Sequence, residues 1–238
     1  MLTQTAIHSD PIRRPAMAMR NASAMPNHRH GDTNEAESLD QSMHLMGAVM
    51  SYPRNAEIFG ENEPADYLYK VVSGSVRTYK ILSDGRRQVG AFYLPGDIFG
   101  LEFADDHVMS AEAITDVKVL VIKRSAVTAL AARDAGVARE LFALTGHELQ
   151  RVQERILLLI KNAQERVASF LLEMAERVSA GNAIDLPMSR QDIADYLGLT
   201  IETVSRTLTS LESAAAIEVP TSRHIVLRNR SALSRMNG

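Results

Sequence analysis

Cysteine and tryptophan are both absent from the 238-residue chain. Without cysteine the protein has no disulfides, no thiolate zinc site, no cysteine-ligated iron–sulfur cluster and no thiol nucleophile. The densest apolar run, Ile156 to Ile160, is far shorter than the ~18 residues that a membrane helix needs. The N-terminal residues also lack the compact apolar segment of a secretory signal. We therefore expect a soluble, cytoplasmic chain with a mostly aliphatic core.

A strong charge bias is also missing, since 26 Lys and Arg against 29 Asp and Glu leave a formal net charge of -3. Any surface that binds nucleic acid must therefore be local. Residues 219–238 contain four Arg and neither Asp nor Glu, which makes the C-terminal end such a local basic patch.

The first half of the chain divides into two parts. Residues 1–40 are rich in Pro, Asn, Ser, Asp, Glu and Met without apolar periodicity, which predicts a disordered tail. From 41 to 135 short β-rich runs alternate with turns, among them Asp84-Gly85, a strong hairpin signal. This pattern favours a small β-roll. The predicted strands are Tyr67–Val72, Ser75–Ile81, Gln88–Tyr93, Ala111–Thr115 and Val117–Ile122.

A helical period follows over about residues 136–164 and predicts a dimerisation helix. The residues spaced alternately by three and four are Phe142, Thr145, Leu149, Val152, Ile156, Leu159 and Ala163. They form an a/d seam over about three heptads. A second apolar face beside the seam indicates that the helix has two partners, its own barrel and a second copy. We assign the homodimer interface to Leu149, Val152, Ile156 and Leu159; a helix that packs only within its own domain is the alternative.

The last segment, residues 165–238, is typical of a winged helix-turn-helix. Ser189 is a good N-cap with Asp192 as an imperfect capping-box partner, Gly198 permits a tight turn, and Thr200 caps the following helix. The predicted helices are about 164–179, 190–197 and 201–214, and two short strands around Pro220 form the wing.

The second helix of such a motif lies in the major groove, and its first turns meet base edges. Arg206 has two donors for O6 and N7 of guanine, while Glu202 accepts from N4 of cytosine. The simpler alternative, an intrahelical Glu202–Arg206 ion pair worth ~0.3–0.5 kcal/mol, is compatible with base reading. We assign base reading to Ile201, Glu202, Ser205 and Arg206. We assign backbone contacts to Ser189, Arg190, Gln191, Thr200, Thr203 and the wing residue Arg223.

Three features together resemble the cyclic-AMP-receptor/fumarate-nitrate-reductase (CRP/FNR) transcription regulators over about residues 45–235. These are Pro95-Gly96-Asp97 with Gly100, the long helix, and the segment MSRQDIADYLGLTIETVSR. The resemblance implies an α+β fold with an N-terminal β-roll like a cyclic-nucleotide-binding barrel, a long dimerisation helix and a C-terminal winged helix-turn-helix. It also implies a homodimer that binds palindromic double-stranded DNA and works as an activator with RNA polymerase, away from any membrane.

The predicted recognition helix separates the branches of that family. Ile201 and Ser205 resemble the oxygen-regulator and FixK branches, and they imply a TTGAT-type inverted repeat. The oxygen-regulator branch needs cluster-ligating cysteines, which this chain lacks. The FixK branch, which controls microaerobic and nitrogen-fixation genes, therefore fits best.

The effector pocket of the cyclic-AMP branch is altered in this chain. The acid expected directly after Gly100 is displaced by one residue to Glu102, and in a strand that slip turns it to the other face. Met109 stands where an arginine would neutralise the phosphate. We expect no nucleotide effector, no cofactor and no metal, with the roll serving as a scaffold. A roll that binds another small molecule is the alternative.

Catalysis is poorly supported by the sequence. It contains no Gly-rich phosphate loop, no His set with metal-ligand spacing and no nucleophile motif, so we predict no catalytic residue. A purely structural interaction protein is a third class, which the groove-reading helix disfavours.

Overall fold

The computed structural model describes residues 33–158, 160–178 and 181–236. The chain forms a β-roll, a long helix and a C-terminal helical unit with a small sheet, which confirms the predicted α+β architecture. The roll and its flanking helix comprise α1 (Thr33–Met46), β1 (Ala48–Tyr52), β2 (Glu57–Phe59), β3 (Tyr67–Ser73), β4 (Val76–Ile81), β5 (Arg87–Tyr93), β6 (Ile98–Phe99), β7 (Ser110–Ala113) and β8 (Val117–Lys123). The rest comprises α2 (Arg124–Ala131), α3 (Ala135–Leu158), α4 (Ala163–Val178), β9 (Ala183–Asp185), α5 (Arg190–Leu197), α6 (Ile201–Ser213), β10 (Ile217–Glu218), β11 (His224–Leu227) and α7 (Arg230–Met236).

The roll consists of two antiparallel four-stranded sheets, ordered β1-β8-β3-β6 and β2-β7-β4-β5. All five predicted strands are present, and β4 pairs with β5 across the Asp84-Gly85 turn, from Val76 opposite Tyr93 to Ile81 opposite Arg87. Gly85 has a φ of 81°, a conformation that glycine adopts without steric cost.

Four strands lie outside the predicted set: β1, β2, β6 and β9. Three of them have only two or three residues, too few to show an alternation. The fourth, β1, is an edge strand with four of its five residues exposed, so it lacks the buried face that marks a strand in sequence.

Part of the predicted tail is helical, because α1 covers Thr33–Met46. Leu39 and Met43 are spaced by four residues and are both buried, against Leu68, Leu120 and Val137. Apolar contact with the roll and α3 stabilises this polar helix, so disorder up to residue 40 is wrong for residues 33–40. Residues 1–32 of the predicted tail lie outside the described residues.

The predicted helix over 136–164 is two helices. The first, α3, ends at Leu158, and α4 begins at Ala163. Asn162 caps α4: its side chain accepts from the Glu165 backbone N–H at 3.0 Å, while its own N–H donates to the Glu165 carboxylate at 2.8 Å. This reciprocal box starts a new helix. Ala163 therefore does not belong to the seam, and Leu159 lies outside the described residues. Among the described helices, none is long and apolar enough to cross a membrane.

The roll and the C-terminal unit share one hydrophobic cluster. Val89, Phe92 and Ile114 of the roll are buried together with the cores of α4, α5 and α6. The Phe92 ring lies 6.2 Å from Phe170 and 5.1 Å from Tyr196, measured between ring centroids. The two parts of the chain are therefore packed together rather than connected only by a linker.

Candidate nucleic-acid interface

Helix α5 begins at a complete capping box. The Ser189 hydroxyl accepts from the Asp192 backbone N–H at 3.1 Å, and the Ser189 N–H donates to Asp192 Oδ2 at 2.9 Å. The Ser189 hydroxyl also donates to that oxygen, at 2.7 Å. Its proton is thus directed to Asp192 and not outward, which was not evident from the sequence.

The turn and the second helix follow the predicted pattern. Gly198 ends α5 in the left-handed region, with a φ of 64°, and Thr200 caps α6 by accepting from the Thr203 N–H at 3.2 Å. The bounds of α5 and α6 agree with the predicted 190–197 and 201–214 to within one residue. Local capping signals were sufficient to predict these bounds, because each capping residue lies directly next to the helix that it begins or ends.

The two faces of α6 differ in burial. Val204, Leu208 and Leu211 are buried in the core of the unit. Ile201, Glu202, Arg206 and Thr209 are exposed, and Thr203 and Ser205 are partly exposed. All four predicted base-reading residues therefore lie in the first two turns of a helix whose opposite side is buried in the core.

Glu202 is held in its charged form by its surroundings. Hydrogen bonds from its own backbone N–H and from the Thr200 side chain lower the pKa of Glu202, and the positive charge of Arg206 lowers it further. An ionised carboxylate accepts hydrogen bonds, as reading of a cytosine amino group requires. The Arg206 side chain is exposed.

The predicted backbone-contacting residues lie around this helix. Arg190 is the first residue of α5, and its side chain reaches α6, with Nη1 3.4 Å from the Ser205 hydroxyl. Gln191 and Thr200 are exposed. Arg223 is in the wing, where its backbone carbonyl accepts from the Leu186 N–H at 2.9 Å. The basic patch of the sequence is weaker in the fold, because the Arg228 guanidinium pairs with Glu218 of β10.

The predicted dimer residues lie on the outer side of α3. Leu149, Val152 and Ile156 are 60%, 52% and 58% exposed, although each is a large apolar side chain. Phe142 extends the same stripe, with an exposed fraction of 81%. The opposite side of α3 faces the roll and α4 through Leu144, Arg151, Arg155 and Leu158.

The interior of the roll is filled by aromatic side chains. The His107 ring stacks on Phe59 with centroids 3.6 Å apart, and Phe99 stacks on Tyr69 and Tyr93 at 5.0 Å from each. Glu102 follows β6 in a loop and not in a strand, so the predicted turn to the other face of a strand is wrong. Its Oε1 lies 3.3 Å from His107 Nδ1.

Sequence reasoning missed the ionic contacts between the roll and α5. Asp192 Oδ1 accepts from Arg77 Nη1 at 3.1 Å and from Arg87 Nη2 at 2.6 Å. Asp195 Oδ2 accepts from Arg87 Nε at 2.8 Å. The local signal is an arginine at an inward position of β4; Arg77 also pairs with Glu112 of β7 at 2.7 Å, but its partner Asp192 lies 115 residues further along the chain.

Burial alone would raise the pKa of Asp192, but its hydrogen bonds from Ser189 and the charges of Arg77 and Arg87 outweigh this effect. The pKa of Asp192 is therefore below its ordinary value, and the carboxylate is charged at neutral pH. In the part of the chain that the structure describes, no three His, Asp or Glu side chains are grouped so as to hold a metal ion.

A roll joined by a long helix to a winged helix-turn-helix defines a DNA-binding transcription regulator. Residues 165–236 match the Crp-like helix-turn-helix domain, and residues 49–134 match the cyclic nucleotide-binding domain. The chain belongs to the CRP/FNR family of transcription regulators, in its FixK-type branch, and this family does not consist of enzymes.

Three relatives illustrate the match. The nitrogen fixation regulation protein FixK of Azorhizobium caulinodans is 47% identical over 235 residues, which cover 94% of this chain and 95% of that protein. The transcriptional activatory protein AadR of Rhodopseudomonas palustris is 39% identical over 172 residues, 70% of this chain and 72% of that protein. The solved structure of FixK2 from Bradyrhizobium japonicum has 51% identity and a TM-score of 0.79, and the match covers 81% of this chain and 98% of that one.

Proposed function

We propose that the chain is a cytoplasmic transcription activator that binds a TTGAT-type inverted repeat as a homodimer and needs no nucleotide effector. The observation that carries this proposal is the free face of α6, where Ile201, Glu202 and Arg206 are exposed above a buried core. The relatives named as nitrogen fixation regulators and as an activatory protein support control of nitrogen-fixation genes and activation with RNA polymerase.

Base reading is assigned to the exposed start of α6. Arg206 donates to O6 and N7 of a guanine, and charged Glu202 accepts from N4 of a cytosine on the same face of the helix. Ser205 and Ile201 contact the neighbouring bases. Phosphate contacts come from Arg190, Gln191, Thr200, Thr203 and Arg223. Ser189 contributes only after its hydroxyl gives up the bond to Asp192.

A homodimer is required by an inverted repeat, because two recognition helices must lie about one DNA turn, ~34 Å, apart. The exposed apolar stripe of α3 supplies a surface that both copies present to each other across a two-fold axis. Such a stripe is unfavourable in water, at about 25 cal/mol per Å² of apolar area. We assign Leu149, Val152 and Ile156 to this interface, together with Leu159.

Independence from a nucleotide is supported by the filled roll. The stacked rings occupy its interior, and Met109 lies against Gly90, so that a Cβ on Gly90 would be 2.4 Å from the Met109 sulfur. A phosphate at this position would meet a thioether instead of a cation, and a desolvated phosphate without a cation is costly.

One observation favours the alternative of a small-molecule effector. The Glu102 carboxylate lies 3.3 Å from His107 Nδ1 and 4.0 Å from Arg124 Nη2, and Glu102 Oε2, His107 Nε2 and Arg124 Nε are buried without a hydrogen-bond partner. A thermal-shift screen of small polar molecules tests this alternative. A stabilising compound that also changes DNA affinity would replace the effector-free proposal.

Sequencing of DNA selected by the purified protein tests the main proposal. We expect an inverted TTGAT-type repeat to be enriched by the protein alone, without cyclic nucleotide. Recovery of unrelated sequences or of a single half-site contradicts the proposed specificity or the dimer, respectively. The matched control is the Arg206→Ala variant, which should lose enrichment at one G·C pair in each half-site.

A further inference from the structure

Two carboxylates on α5 tie the DNA-binding unit to the roll. Asp192 has 3% of its surface exposed and accepts from Arg77 of β4 and Arg87 of β5 through one oxygen, at 3.1 and 2.6 Å. Its other oxygen accepts from Ser189. One side chain therefore caps α5 and anchors the roll at the same time.

The second carboxylate, Asp195, lies one turn further along α5. Arg87 donates to Asp195 Oδ2 from Nε at 2.8 Å, and its Nη2 is 2.7 Å from the same oxygen. Gln88 donates to the backbone carbonyl of Asp195 at 2.5 Å. The start of β5 thus holds α5 at its first turn and at its second.

The contacts occupy the side of α5 that faces away from the recognition helix. Ile193, Ala194 and Leu197 are buried toward α6, whereas Asp192 and Asp195 face the roll. Docking of the roll therefore leaves the exposed face of α6 free for DNA.

The docked roll also changes the net charge near the N-terminus of α5. The N-terminus of α5 is the part of a helix-turn-helix that approaches the DNA backbone. Two uncompensated carboxylates there would repel phosphates, and Arg77 and Arg87 neutralise them. Removing one partner of a buried ion pair also leaves a charge without compensation, which is strongly unfavourable.

We propose that Arg77 and Arg87 are positioning residues for DNA binding: by holding Asp192 and Asp195 they keep α5 in the DNA-competent arrangement. The roll is then an active part of the DNA-binding machinery in the absence of any effector. This inference rests on the proposed function, because it needs specific DNA binding by the full chain.

The decisive experiment compares charge reversals at two neighbouring arginines of one hairpin. Arg86 is exposed and pairs with Asp84 of its own turn, so Arg86→Glu changes the net charge by the same amount as Arg87→Glu without touching α5. Affinity for the selected palindrome is measured by fluorescence anisotropy on the full-length protein. We expect Arg87→Glu to weaken binding about tenfold or more, within the range of measured coupling between sites, and Arg86→Glu to change it much less.

A charge swap provides the rescue. In the double variant Arg87→Glu with Asp195→Arg, the introduced guanidinium lies between the introduced carboxylate on β5 and Asp192, so the ion pairs re-form with reversed polarity. We expect the double variant to recover to within about threefold of wild type, whereas Asp195→Arg alone should remain weakened. A non-specific effect of charge on DNA would instead make Asp195→Arg alone bind more tightly than wild type.

Each outcome decides the inference. Equal weakening by Arg86→Glu and Arg87→Glu, or no recovery in the swap, overturns it. If circular dichroism shows Arg87→Glu to be unfolded, the milder pair Arg87→Gln and Arg86→Gln is compared in the same way and decides. If the wild-type chain binds no palindrome, the proposed function fails and not the positioning role alone.

Discussion

Ser189 and Asp192 satisfy each other's polar groups through three hydrogen bonds of 2.7 to 3.1 Å at the first turn of α5. The Asp192 carboxylate is charged in the fold, with a pKa below its ordinary value. A carboxylate with a lowered folded pKa contributes stability above its unfolded pKa, about 3.9, and loses it as pH falls through the folded value.

The first prediction follows from the lowered pKa of Asp192. Asp192→Asn should lower the free energy of unfolding at pH 7 by on the order of 3 kcal/mol, because Arg77 and Arg87 lose the charge of the buried carboxylate that they share and keep only Glu112 and Asp195, respectively. The difference from wild type should shrink below about pH 4. Denaturant unfolding between pH 3 and 7 measures it, with the exposed Asp84→Asn as the control that changes little. A penalty that is independent of pH would contradict the ionic role of Asp192.

The second prediction separates base reading from backbone contact. Arg206→Ala should cost about 1–3 kcal/mol per half-site and reduce discrimination at one G·C pair, because a bidentate contact is lost. Arg223→Ala should weaken binding to all sequences and lower the salt slope by about 0.9 per phosphate contact. Anisotropy titrations over a salt series compare the two. Equal effects on cognate and unrelated DNA for Arg206→Ala would be inconsistent with base reading.

The third prediction concerns the stripe on α3. Ile156→Glu places two carboxylates in an apolar two-fold interface at a cost of several kcal/mol, so it should give monomers in sedimentation. The monomer should bind a palindrome no better than a half-site. Ala143→Glu is the control, because Ala143 is exposed on the same helix but lies on another face. A dimeric Ile156→Glu variant would place dimerisation elsewhere.

The fourth prediction uses two glycines with the same backbone conformation. Gly74 and Gly85 have φ values of 82° and 81°, but a Cβ on Gly74 would lie 2.3 Å from the Asp116 carbonyl oxygen, and one on Gly85 would meet no atom within 4 Å. Gly85→Ala should cost about 1–2 kcal/mol, the strain of a left-handed L-residue. Gly74→Ala should cost a further 1–3 kcal/mol or so, because the backbone must move. Thermal unfolding compares them, and equal costs would mean that the turn at Gly74 relaxes freely.

The fifth prediction concerns effectors. Cyclic AMP, metal ions and anaerobic conditions should each leave the affinity of the pure protein for its palindrome almost unchanged, because Met109 stands where a nucleotide phosphate needs an arginine and the chain has no cysteine to ligate a cluster or a metal ion. Anisotropy titrations with and without each addition measure this. A gain of about tenfold with cyclic AMP, or ~1.4 kcal/mol, would contradict it.

The sequence was informative where the determinants are local. Ser189, Gly198 and Thr200 mark the bounds of α5 and α6, because caps and left-handed turns act within a few residues. The end of α3 was missed although Asn162 and Glu165 form a capping box, since the apolar spacing continues across the break.

The remaining errors have a non-local origin. The helix over residues 33–46 is mostly polar and depends on burial of Leu39 and Met43 against distant strands. The Arg77 and Arg87 contacts join residues separated by 115 and 105 positions, and no periodicity of one segment encodes such a pair.

Arg155 joins the roll to the C-terminal unit in a different way, through backbone atoms. Its guanidinium donates to the carbonyls of Val89 and Gly90 in β5 and, at 3.2 Å, to that of Tyr196 in α5, and it lies 4.6 Å from the centre of the Tyr196 ring. Carbonyl oxygens are the same in every amino acid, so this joint places no demand on the side chain at position 89. The angle between the roll and the DNA-binding unit therefore depends in part on the path of the β5 backbone, which a single side-chain substitution can leave in place, whereas the Arg87 contacts to α5 depend on the side chain itself.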